Sequence, residues 1–188
     1  MTADSFYEEV IIAGFGGQGI ILAGKLLAQT AMKAGKEVTY MPSYGAEVRG
    51  GTANCMLVIA DEPVASPVVN RPDSLIAMNK ASFKKFAPKI KPGGLLVMNS
   101  SLIDEKPELD ETIRILAVPA DELAAASGTP KVANMVVLGA YLQKKGLFDA
   151  DAAARSLPDV LAKRHYEMLP VNTEALHRGR EFAEKNAQ

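Results

Sequence analysis

The feature that most constrains this chain is the turn Gly14-Phe15-Gly16-Gly17-Gln18-Gly19. A short apolar, β-branched run, Val10 to Ala13, leads into it, and a helix-compatible stretch from 17 to 34 follows directly. A strand that reverses through glycines straight into a helix opens an α/β layer. Within that helix Lys25, Gln29 and Lys33 recur every four residues as a narrow stripe facing water. That leaves Ile20, Ile21, Leu22, Leu26, Leu27 and Met32 for the buried arc. Gly35 closes the helix, and 37–41 (Glu-Val-Thr-Tyr-Met) reads as a second strand stopped by Pro42.

A third strand is expected over 52–59, with Ala53, Cys55, Leu57 and Ile59 on one face and Thr52, Asn54, Met56 and Val58 on the other. Only 42–51 separates it from the second, too short for the dozen or more residues of a parallel crossover, so these two strands do not form a βαβ unit. Asp61-Glu62-Pro63 reads as a turn into a further extended piece, 64–69, which makes the middle of the chain an inserted β-meander. Strands at 74–78, 95–98 and 113–118 follow, with a short helix at 80–86. Helical segments near 120–127, 131–145, 149–163 and 172–186 complete the chain, broken by Gly128, Gly146, Pro158 and Pro170. The expected fold is a three-layer α/β/α single domain over 1–188, with a mixed, mostly parallel sheet and a Rossmann-like start.

Composition removes several function classes. The chain has 188 residues, 48% apolar and 23% charged, which suits one globular domain. Lys and Arg number 21 against 22 Asp and Glu, so no positive field attracts nucleic acid or an anionic membrane. No apolar run approaches the roughly 18 residues that span a bilayer. The first nine residues carry Asp4, Glu8 and Glu9 without the basic start of a secretory signal, so the expected location is the cytoplasm. The single cysteine, Cys55, forms no internal disulfide and cannot supply the four thiolates of an iron–sulfur cluster or a structural zinc site. Redox chemistry would then need an organic cofactor or another chain.

The glycine turn satisfies G-x-G-x-x-G in the setting that gives the pattern meaning, after a strand and at the start of a helix. Its glycines let a ligand approach the backbone, and the free helical N–H groups suit a phosphate or carboxylate. They equally permit only a tight turn and close helix packing. A dinucleotide site would place an acid at the end of the second strand, but that strand ends Tyr40-Met41-Pro42, with Glu37 at its start. A P-loop fails as well, because no Gly-Lys-Ser/Thr closes the turn.

The loop Ser43-Tyr44-Gly45-Ala46-Glu47-Val48-Arg49-Gly50-Gly51 is the second feature. With the first two strands parallel it emerges at the same sheet edge as the glycine turn. Arg49 suits a forked contact with an anion and Tyr44 a stacked ring; alternatively Glu47 and Arg49 pair and only shape the loop. Asn79, Asn99, Ser100 and Ser101 follow strands and read as caps and side-chain turns. His165 and His177 show no metal-ligand spacing, and Cys55 reads as a small core residue. The run 135–142 (Met-Val-Val-Leu-Gly-Ala-Tyr-Leu) is apolar around the helix, so it lies deep in the core or under another subunit. Ala175, Gly179 and Phe182 give the last helix a face suited to close packing.

The two glycine-rich stretches at 14–19 and 43–51, with Ser66-Pro67 and the run 72–79 (Pro-Asp-Ser-Leu-Ile-Ala-Met-Asn), resemble the gamma subunit of 2-oxoacid:ferredoxin oxidoreductases over nearly the whole chain. The Tyr44-Gly45-Ala46-Glu47 variant and the run 51–55 (Gly-Thr-Ala-Asn-Cys) are most similar to the 2-oxoglutarate branch, with the ketoisovalerate branch close and the pyruvate branch further off. The resemblance implies CoA-dependent oxidative decarboxylation of a 2-oxoacid to an acyl-CoA, carbon dioxide and reduced ferredoxin. It implies that thiamine diphosphate, magnesium and the iron–sulfur clusters sit on partner alpha, beta and, where present, delta subunits, with coenzyme A a shared ligand. No cofactor is then bound by this chain alone, the isolated chain is inactive and free to pair as a homodimer, and it carries no catalytic residue. Gly14, Gly16, Gly17, Gln18, Gly19, Ser43, Tyr44, Glu47 and Arg49 match the family motifs and are the candidate ligand contacts. The residues alone leave a free-standing dinucleotide- or nucleotide-binding oxidoreductase, or a binding module, as the alternative.

Overall fold

The computed structural model describes residues 5–45, 52–105 and 108–186. The apolar run at 10–13 lies inside a longer strand, β1 (Tyr7–Phe15), and the sheet grows outward from it. The other strands are β2 (Glu37–Tyr44), β3 (Thr52–Ala60), β4 (Ser74–Ala77), β5 (Leu95–Asn99) and β6 (Arg114–Val118). They lie in the order β2-β3-β1-β4-β5-β6. β1, β4, β5 and β6 are parallel neighbours, and β3 runs antiparallel to both β1 and β2. The sheet is therefore mixed, as expected, and the short link between β2 and β3 makes them a hairpin rather than a crossover.

Both faces of the sheet are covered. Val10 and Ile12 of β1 join Cys55, Leu57 and Ile59 of β3 under α1 (Ile20–Lys33), α3 (Ala120–Ala126), α4 (Ala133–Lys145), α5 (Ala150–Val160) and α6 (Leu169–Lys185). Ile11 and Ala13 face the other way, with Leu75 and Leu96, under α2 (Lys80–Phe86) and the side chains of Val69, Ile103 and Ile113. A strand buried on both faces reads as a continuous apolar run, which is why β1 lacks alternation.

Several expectations need correction. Segment 64–69 does not join the sheet; Val64 and Val69 pack on its second face as irregular chain. β2 continues through Pro42, whose missing N–H is tolerated because β2 is an edge strand. Pro170 does not interrupt α6 but sits in its first turn, where no intrahelical N–H is needed, and Pro158 lies inside α5 near its end. Met32, expected inside, is 58% exposed. It lies seven residues after Lys25, two helical turns on, and so shares the stripe that faces water.

The apolar circumference of α4 is answered within this chain. Every residue from Ala133 to Leu142 is buried, with β4 and β5 on one side and α6 on the other. The two helices approach backbone to backbone. A Cβ on Gly139 would lie 2.0 Å from the Leu176 carbonyl oxygen, and one on Gly179 would lie 1.9 Å from that of Val136. α4 is also fastened to the sheet by a buried carboxylate. Glu8 Oε2 pairs with Lys145 Nζ at 2.6 Å, and its Oε1 accepts from Ser74 Oγ at 2.6 Å and Tyr141 Oη at 3.4 Å. Burial, and then the Glu8 charge, holds the Tyr141 phenol well above its usual range.

Gly139→Ala should therefore force α4 and α6 apart and cost about 3 kcal/mol, the upper end for overpacking. Urea unfolding of the two proteins measures this, and equal midpoints would mean that the helices do not touch along their backbones.

Candidate functional site

The hairpin brings the described flanks of the second glycine-rich segment, Tyr44-Gly45 and Thr52, to the same end of the sheet as the first. Phe15 at the end of β1 pairs with Thr52 at the start of β3, and Tyr44 at the end of β2 pairs with Ala53. Gly45 N donates to Thr52 O at 2.7 Å and closes the described part of the hairpin. Between these ends and the first turn of α1 lies a cleft of about 430 Å³, lined by Phe15, Gly16, Gly17, Ile20, Tyr44 and Thr52 among others. Its described walls are mostly apolar and carry no charged side chain. Glu47 and Arg49, the two charged candidates, lie outside the described residues.

The backbone supplies the polar groups instead. Gly19 caps α1 in the left-handed region, at φ 71°, and no side chain caps the helix. The N–H groups of Ile20, Ile21 and Leu22 thus open the helix without intrahelical acceptors, next to the cleft. Such a terminus favours an anion. Gly17 has φ 100° and open space where a Cβ would stand, so its backbone conformation alone calls for glycine.

Gln18 does something that the motif did not foretell. Its Oε1 accepts from Phe15 N at 2.7 Å and Asn79 Nδ2 at 3.0 Å, and its Nε2 donates to Met78 O at 3.1 Å. The side chain thereby stitches the end of β1 to the end of β4. Between these strands the helices switch from one face to the other, the position where open α/β sheets usually admit a ligand. A cavity of about 160 Å³ remains beyond the stitch, lined by Gln18, Met78, Asp121, Lys131 and Asn134 among others. Asn134 is a further residue that spacing did not single out. It heads the apolar α4, is 5% exposed, and its Nδ2 donates to Gly19 O at 3.0 Å. Only its place as the one amide in the buried, apolar first ten residues of α4 could have marked it, and nothing in the sequence says what it bonds.

The remaining candidates take structural posts. Asn79 Oδ1 caps α2 by accepting from Ser82 N at 2.8 Å. Asn99 is fully buried, and its Oδ1 accepts from Ser101 N and Ala120 N. Ser43 is exposed on the β2 edge strand. His177 on α6 reaches Asp151 of α5 at 2.8 Å, and His165 is exposed. No group of three His, Cys, Asp or Glu among the described residues could hold a metal ion. Cys55 is fully buried beneath α1, where a Cβ on Gly24 would lie 2.3 Å from its sulfur. Burial pushes its thiol up to about 12, so Cys55 stays protonated and a weak nucleophile at neutral pH. No helix among the described residues is long and apolar enough to cross a membrane.

Residues 9–182 match the family described as Pyruvate ferredoxin/flavodoxin oxidoreductase. The ketoisovalerate oxidoreductase subunit VorA of Methanothermobacter marburgensis is 36% identical over 180 residues, 95% of this chain and 37% of the relative. The chain thus spans little more than a third of that relative's length. The 2-oxoglutarate synthase subunit KorC of Methanocaldococcus jannaschii is 34% identical over 182 residues, 95% of each chain. Among solved structures, a keto/oxoacid ferredoxin oxidoreductase gamma subunit from Geobacter sulfurreducens superposes with a TM-score of 0.78 at 29% identity, covering 95% of this chain and 99% of that one. The 2-oxoglutarate:ferredoxin oxidoreductase of Magnetococcus marinus, solved with 2-oxoglutarate, coenzyme A and succinyl-CoA bound, superposes at 0.84 and 28% identity, covering 95% of this chain and 31% of that one.

Two outcomes follow from this geometry. Gly17→Ala should cost about 1–2 kcal/mol through its backbone alone. Gly19→Ala should cost more, because its Cβ would also stand 2.3 Å from Asn134 Nδ2; thermal unfolding of both variants ranks them, and the reverse order would refute the turn geometry. Cys55 should resist iodoacetamide in the native protein at pH 8 and react once urea unfolds it, as mass spectrometry would record. Native labelling at the unfolded rate would show an accessible thiolate.

Proposed function

The chain belongs to the pyruvate ferredoxin/flavodoxin oxidoreductase family, and from that premise we propose that it is the gamma-type subunit of a 2-oxoacid:ferredoxin oxidoreductase. In this reading residues 1–188 form one domain that works with alpha, beta and, where present, delta chains. The assembled enzyme converts a 2-oxoacid and coenzyme A to an acyl-CoA and carbon dioxide and passes the electrons to ferredoxin. 2-Oxoglutarate is the substrate we assign, and the branched-chain 2-oxoacid of the ketoisovalerate relatives is the alternative.

The observation that carries this reading is the likeness to a curated 2-oxoglutarate synthase subunit over 95% of both chains, joined to a site made of backbone and apolar walls. Thiamine diphosphate, magnesium and the iron–sulfur clusters supply the decarboxylation and electron transfer, and we assign them to the partner chains. The donor set here fits that division, since the lone cysteine is buried under α1. To the cleft we assign coenzyme A, shared with the partner chains. A volume of about 430 Å³ lies within the range of small-molecule sites, roughly 300–1,000 Å³. The first-turn N–H groups of α1 and Arg49 would meet a phosphate, and Phe15, Ile21 and Tyr44 the partly apolar arm. Gly16 and Gly17 would admit it to the backbone, while Gln18 and Gly19 hold the turn and Gly14 leaves room for the Ile20 and Gln18 side chains behind it; Ser43 and Glu47 stay further candidate contacts. A free-standing dinucleotide enzyme is disfavoured because Gln18 stitches the switch point and β2 ends without an acid.

The test is to co-express the chain with its partner subunits and follow CoA-dependent dye reduction with 2-oxoglutarate, 3-methyl-2-oxobutanoate and pyruvate. The complex should turn over 2-oxoglutarate fastest and the isolated chain none of them. Leu22→Trp, which fills the cleft, should raise the KM for coenzyme A about tenfold, equivalent to about 1.4 kcal/mol. Dinucleotide-dependent activity of the isolated chain would overturn the assignment.

A further inference from the structure

We propose that Asn134 is a positioning residue for the cleft, acting through the Gly19–Ile20 peptide; the proposal rests on coenzyme A as the ligand of that cleft. Gly19 O and Ile20 N–H belong to one planar trans peptide and point in opposite directions. A donor that fixes the oxygen from behind therefore fixes where the N–H points in front. Asn134 Nδ2 is that donor, at 3.0 Å, and Ile20 lines the cleft.

Three observations make the contact more than a chance hydrogen bond. Asn134 lies among residues 133–142 of α4, where every neighbour is apolar or glycine, so a buried carboxamide there costs free energy unless it is paired. Gly19 O already accepts the first intrahelical bond from Ala23 N at 3.0 Å, so Asn134 is a second donor on an oxygen that the helix alone would satisfy. Finally, a Cβ at position 19 would stand 2.3 Å from Asn134 Nδ2. Only glycine lets α4 come this close to the turn.

The second bond also polarises the peptide. Donation to a carbonyl oxygen withdraws charge from its amide and makes the N–H a stronger donor. Asn134 thus both aims and strengthens the N–H offered to an anion, without touching the ligand. Gln18 holds the other limb of the turn through Phe15 N, so the turn is gripped by one carboxamide from each side.

The experiment uses the assembled complex with Asn134→Asp, Asn134→Ala and Leu22→Trp, and reads coenzyme A affinity by calorimetry beside KM and kcat. Asn134→Asp sets an acceptor against the Gly19 oxygen and should weaken coenzyme A binding about tenfold, and Asn134→Ala about threefold, the loss of one ordinary hydrogen bond. The KM for coenzyme A should rise by more than kcat falls, and the KM for the 2-oxoacid should hold. Should Asn134→Asp fail to assemble, Asn134→Ala decides. Wild-type affinity in the assembled Asn134 variants, with binding weakened in Leu22→Trp, overturns the role of Asn134 and leaves the cleft assignment standing. Affinity unchanged in all three variants overturns both.

Discussion

β1 is hydrogen-bonded along both edges and buried on both faces, and the other elements take their places from it. β3 pairs with it antiparallel over nine positions and β4 parallel over four. Neither face nor edge leaves room for adjustment, so a slip of one residue would turn Ile11 and Ala13 into the layer made for Val10 and Ile12. The strand ends where its side chains stop being apolar. The chain there must leave the sheet and rise into α1 within four residues, which only glycines and a local carboxamide manage without strain.

Placing an antiparallel strand between β1 and β2 has a geometric consequence for the cleft. Neighbouring strands lie about 4.8 Å apart, so the ends of β1 and β2 stand about 10 Å from each other, with the start of β3 as the floor between them. Had β2 paired directly with β1, the two glycine-rich segments would close on each other and leave no room for a ligand. The hairpin opens the cleft, while Gln18 on the other side of the same turn draws β1 and β4 together. One turn thus faces an open side and a stitched side, and the open one is away from the switch point that topology alone would favour.

The sequence announced those parts of this arrangement that depend on local spacing. The strand–glycine–helix start, the two faces of β3, the buried Cys55 and the short β2–β3 link follow from periods of 2 and 3.6 and from chain length. The apolar α4 was legible as buried, but whether this chain or another covers it was not, because Gly139 and Gly179 meet only when α4 and α6 cross. Spacing placed Gln18 in a motif yet said nothing of Met78 and Asn79, about 60 residues away, which decide its role. Asn134 is silent for the same reason. Pro170 and Pro42 misled because a proline's meaning depends on position: in a first turn or on an edge strand it breaks nothing. Met32 misled because apolarity outweighed its place on the Lys25 stripe.

The distribution of charge bears on the anion proposed for the cleft. The ion pairs of the sheet gather at the opposite end of β1, where Glu8 meets Lys145, Glu9 and Asp73 meet Lys91, and Asp61 meets Lys36. Glu8 lies seven strand residues from Phe15, about 23 Å at the rise of a β-strand. That exceeds the screening length of about 8 Å at physiological ionic strength. The carboxylates at the far end therefore neither repel a phosphate in the cleft nor compete for the N–H groups of α1. What such a ligand meets among the described residues is the positive end of one helix and apolar walls that keep water from weakening it. Charge and shape are what the described walls of this cleft offer a ligand, through backbone N–H groups and apolar side chains rather than through a charged side chain.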